Sequence, residues 1–72
     1  MRTTYEKTHD SVIVVDDIIG GLIITDGDDD VSAMRRNVDH LKYKVNDPEF
    51  TSEQKAVIQQ AIVDGEAWLI AH

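Results

Sequence analysis

The sequence predicts a small α+β domain, a three-stranded antiparallel meander followed by two amphipathic helices in the order β-β-β-α-α. Three observations predict it. The first 25 residues are rich in β-branched side chains, the last 40 carry apolar residues at helical spacing, and an aspartate run separates the two regions. The chain has 72 residues, room for one domain over 1–72 and no more.

The β region is expected over 2–25. Thr3, Thr4, Tyr5 and Thr8 favour the extended backbone, and Thr8-His9-Asp10-Ser11 reads as a polar turn. Ser11 to Val15 is β-branched almost throughout, which disfavours helix through lost χ1 freedom. Gly20-Gly21 stands between Ile18-Ile19 and Leu22-Ile23-Ile24-Thr25, as in a two-residue hairpin whose turn needs positive φ. Asp16-Asp17 fits this scheme only as a bulge or a turn of its own.

An acidic turn over 26–30 leads into a helix of about 30–45. Apolar residues at 31, 34, 38, 41 and 45 fall on one helical face, and Asp28 to Asp30 suit its N-cap and first turn. Asn46-Asp47-Pro48 ends it, because the residue before proline avoids helical ψ. A second helix is expected over about 52–70, opened by a Thr51/Gln54 capping box. Val57, Ile58, Ala61, Ile62, Gly65, Trp68 and Leu69 form its apolar stripe. Gly65 interrupts that stripe at a cost of up to ~1 kcal/mol relative to alanine, so close approach of a neighbouring element is expected there.

Charge is segregated. The chain carries −7 overall, distributed as −6 over residues 1–31, +2 over 32–47 and −3 over 48–72. Such a field opposes direct nucleic-acid binding, which depends on cations that displace phosphate counterions. No apolar run approaches the roughly 18 residues of a membrane span, and no charged-then-apolar leader opens the chain, so neither membrane nor export is expected. Cysteine is absent, which excludes disulfides and thiolate chemistry.

Catalytic and metal constellations are missing from the pattern. His9, His40 and His72 lack metal-ligand spacing, and Ser11, Ser32 and Ser52 lack a neighbouring base. Asp26, Asp28 and Asp30 occupy the first, third and fifth places of a calcium loop, but Val31 and Asn37 stand where glycine and glutamate are required. No enzyme activity, metal or cofactor is therefore expected.

Two surfaces invite a partner. Arg36, His40 and Lys44 recur every four residues as a basic ridge, and Trp68 supplies an aromatic anchor. A neighbouring copy's acidic region would suit that ridge, which makes homo-oligomerisation an expectation. Alternatively, Asp26, Asp28, Asp29 and Asp30 form an acidic face that imitates phosphates in a host enzyme's basic cleft.

The C-terminal half, with Asn37-Val38-Asp39-His40-Leu41, then Thr51 to Lys55, then Ala61-Ile62-Val63-Asp64-Gly65-Glu66-Ala67-Trp68, resembles the ends of short tailed-phage proteins. The resemblance implies a phage virion accessory or structural protein that binds a larger virion protein, located in the virion or the host cytoplasm. It implies no catalytic residues. The alternative expectation is a phage-encoded inhibitor of a host enzyme.

Overall fold

Thr3 opens the fold as a helix cap: its hydroxyl accepts from the Glu6 N–H at 3.1 Å, and Glu6 reaches back to the Thr3 N–H at 3.1 Å. This capping box starts α1, Thr4–Ile19. In the computed structural model, which describes residues 3–22, 27 and 29–72, α1 is followed by α2, Asp30–Lys44, and α3, Ser52–Ala71. Among the described residues there is no strand, and the expected α+β meander is replaced by an all-helical domain.

The correction has a physical reason at each point. Thr8, Ser11, Val12, Val15 and Ile18 are buried on one face of α1, the three- and four-residue spacing of a helix rather than the alternation of a strand. β-branching costs only tenths of a kcal/mol per residue in a helix. Burying one valine or isoleucine contributes about 1.5–3 kcal/mol, so packing decides. The polar residues expected to turn are instead absorbed: the Thr8 hydroxyl donates to the Thr4 carbonyl at 2.9 Å and the Ser11 hydroxyl to the Lys7 carbonyl at 3.3 Å. Both side chains can then enter the core. Asp16 and Asp17 need no bulge, because they fall on the side of α1 away from the core.

Gly20-Gly21 serves a helix end rather than a hairpin. The Gly21 N–H donates to the Ile18 carbonyl at 3.1 Å and the Leu22 N–H to the Asp17 carbonyl at 2.6 Å. With Gly21 at φ +95, this is a Schellman motif. Of the pair, Gly21 has positive φ while Gly20 is right-handed at φ −77, so the left-handed residue serves a helix end and not a hairpin turn. Ile23, Ile24 and Thr25, expected in the third strand, lie outside the described residues.

α2 begins with Asp29 as N-cap, its carboxylate accepting from the Ser32 N–H at 2.8 Å. That bond holds the Asp29 carboxyl below its usual value. α3 begins with the Thr51/Gln54 capping box, whose two bonds measure 3.1 and 2.9 Å. The helices lie where the apolar spacing places them. Each helix touches the other two. Met34, Leu41, Val15 and Val38 are the largest apolar side chains in the sealed centre, and Phe50 closes one end from the α2–α3 connection. Gly65 is the point of closest approach: a Cβ there would lie 2.5 Å from Val38 Cγ2 and 3.1 Å from Met34 Sδ.

Candidate functional site

Of the basic ridge, only Arg36 is on the exposed side of α2; His40 and Lys44 are half-buried. His40 turns toward α1, where its Nε2 lies 3.4 Å from the Thr8 hydroxyl oxygen. The Thr8 proton is committed to the Thr4 carbonyl, so the imidazole Nε2–H donates. Lys44 reaches over the Tyr43 ring, 4.9 Å from its centroid. The three residues expected to act as one outward surface therefore divide between surface and helix seam.

Burial, then the charges of Lys44 and Lys7, hold the His40 pKa below its ordinary 6.5. The folded state thus resists protonating His40 more than the unfolded chain does. Its contribution to stability is whole above about pH 6.5 and is lost as pH falls through that value toward the lower folded pKa. We expect His40 ring resonances to titrate below 6.5, and Lys7→Gln to bring the midpoint upward. An NMR titration that finds His40 at or above 6.5 would contradict this placement.

Trp68 is half-buried and packs against the core. Its ring stacks on His72 at 3.7 Å with planes 16° apart, and His72 Nδ1 donates to the Trp68 carbonyl at 2.8 Å. The acidic face is likewise partly structural. Asp29 is spent on capping and Asp30 is half-buried in the first turn of α2, while Asp26 and Asp28 lie outside the described residues. Among the described residues, no group of three His, Asp or Glu side chains is placed to hold a metal, and no helix is long and apolar enough to cross a membrane.

Other surfaces come forward. Tyr43 is 79% exposed at the end of α2, on the same outward side as Arg35, Arg36 and Lys42. A shallow groove of about 410 Å³ lies between α2 and α3, with Arg35 and Lys42 on one wall and Leu69 and Ile70 on the other. Lys42 and Glu66 bridge it with a 3.4 Å ion pair. Between α1 and α3 a recess of about 130 Å³ is lined by Tyr5, His9, Val12, Phe50, Val57 and Ile58. Tyr5 stacks on His9 at 5.9 Å and tilts against Phe50 at 6.3 Å.

Tyr43 was legible in the sequence as an aromatic residue off the apolar stripe of α2. The recess was not, because its α1 wall exists only when residues 5–12 are helical.

Among the described residues the fold is a small three-helix bundle with a recess between α1 and α3 and a groove between α2 and α3. No protein-family model, curated protein or solved structure matches the chain.

Proposed function

We propose that this protein is a non-enzymatic interaction component, an accessory protein of a phage virion that binds a larger shell or tail protein. The observation that carries the reading is the outer face of α3. Ala56, Val63, Ala67 and Ile70 are exposed there, with Val63 60% and Ile70 88% open to solvent. At about 100° per residue, the four fall in one stripe opposite Ile58, Ala61 and Gly65. No charged residue stands in that stripe. A solvated helix places its charges on this side, whereas an uncharged one suits an apolar groove on a partner. The likeness of residues 37–68 to short tailed-phage proteins supports the viral setting.

The test is co-purification of the tagged chain from infected cells. Recovery of one shell or tail protein at a fixed ratio is expected, together with its loss for Ile70→Glu at unchanged helical circular dichroism. Recovery of a host polymerase, nuclease or regulator in its place would overturn the virion reading and favour the inhibitor.

A further inference from the structure

Because each helix touches the other two, the outer face of α2 and the seam between α1 and α3 lie on opposite sides of the molecule. Those two sides are opposite in charge and in relief. On the α2 side, exposed Tyr43 stands between Lys42 and Lys44 in the chain, with Lys44 Nζ 4.9 Å from its ring centroid, while exposed Asp39 lies one turn and Arg35 two turns before it on α2. Lys44 over the ring restricts the side chain, and a tyrosine supplies a large contact area at small entropic cost.

On the far side is the recess between Tyr5 and His9 of α1 and Phe50 and Val57. Its volume of about 130 Å³ is close to the ~150 Å³ of a cavity known to admit benzene, so one aromatic ring fits. The wall is largely apolar, and His9 offers a ring nitrogen to a phenol hydroxyl. Exposed Asp16, Glu49 and Glu53 stand beside it in the chain, one turn beyond Val12 or next to Phe50 and Gln54.

We propose that the protein associates with itself head to tail, the Tyr43 ring of one copy entering the α1–α3 recess of the next. Lys42 and Lys44, which flank Tyr43 in the chain, then face Asp16, Glu49 and Glu53 across the junction, a pairing that sets both partner and register. Because knob and recess are different patches, each copy can both donate and receive, which gives a ring or an open filament rather than a closed twofold dimer. The proposal rests on the reading of the chain as an interaction protein. It uses Tyr43 and the α1–α3 seam, however, and not Val63, Ala67 or Ile70 of α3, although Lys42 shares a groove with Ile70.

Sedimentation equilibrium on the full chain tests it. Species heavier than the monomer are expected at ~0.1 M salt and fewer of them at ~1 M, where the screening length falls from ~10 to ~3 Å. Tyr43→Ala, which removes the knob, and Val57→Glu, which blocks the recess at a residue 53% exposed, should each associate at least tenfold more weakly. An equimolar mixture of the two should form a one-to-one dimer, because one intact knob meets one intact recess.

Three results would overturn the proposal: a monomeric wild type at both salts, wild-type association by Tyr43→Ala, or a mixture of folded variants that stays monomeric. A monomeric wild type that still captures a virion protein through Ile70 removes self-association alone. A self-associating chain that captures none removes the virion reading alone.

Discussion

Met34→Ala is expected to destabilise the protein by about 3 kcal/mol, within the ~2–5 kcal/mol typical of deleting a buried Met, Leu or Ile side chain. Met34 is fully buried, and its Sδ stands 3.1 Å from where a Cβ on Gly65 would lie, so its removal opens a void at the contact between α2 and α3. A chain of this length holds only about 4–11 kcal/mol in total by the usual per-residue stability, so a large fraction is lost. The thermal midpoint should fall by well over 10 °C, at about 4–8 °C per kcal/mol. Urea denaturation checks the cause: a lower midpoint with unchanged slope marks lost packing, whereas an unaltered midpoint would place Met34 outside the core.

Gly65→Ala is expected to destabilise as well, against the helix-propensity gain of up to ~1 kcal/mol that the same change brings on an open helix face. The new Cβ would sit 2.5 Å from Val38 Cγ2. Val38 is 1% exposed and β-branched, so it cannot rotate away cheaply. Overpacking of this kind costs about 1–3 kcal/mol, and Gly65→Leu should exceed it or prevent folding. The sign is the test. In a Val38→Ala background the 2.5 Å clash is gone and Met34 Sδ at 3.1 Å is the tightest contact left, on a flexible side chain, so Gly65→Ala should cost less there than in the wild type. A double-mutant cycle with no coupling between the two positions would show that α2 and α3 do not meet there.

Both effects concern a contact whose existence the sequence announced. A glycine in the middle of an apolar helical stripe is costly unless something fills the space of its missing side chain, and Val38, Met34 and Val15 fill it. Tyr43 is not among the residues singled out from the sequence, although an aromatic ring off the apolar face of α2 is a signal that could have found it. The basic ridge depends on more than spacing. A spacing of four residues places Arg36, His40 and Lys44 near one another on α2, but spacing cannot say which flank of that helix meets α1. His40 was drawn to Thr8 because α1 passes beside it.

By itself the sequence determined the two later helices and their ends. Their local signals agree with their packing: a carboxylate at the start of α2, Pro48 beyond its end, a reciprocal cap at Thr51 and Gln54, and apolar residues at helical spacing. It also contained the Thr3/Glu6 cap and the 8, 11, 12, 15, 18 stripe of α1, though these compete with a β-branched run that locally favours strand. Only the tertiary structure decided that contest. Extended-backbone preference amounts to tenths of a kcal/mol per residue, while sealing Val12, Val15 and Ile18 against α2 and α3 is worth several times more, and a helix buries all three on one face.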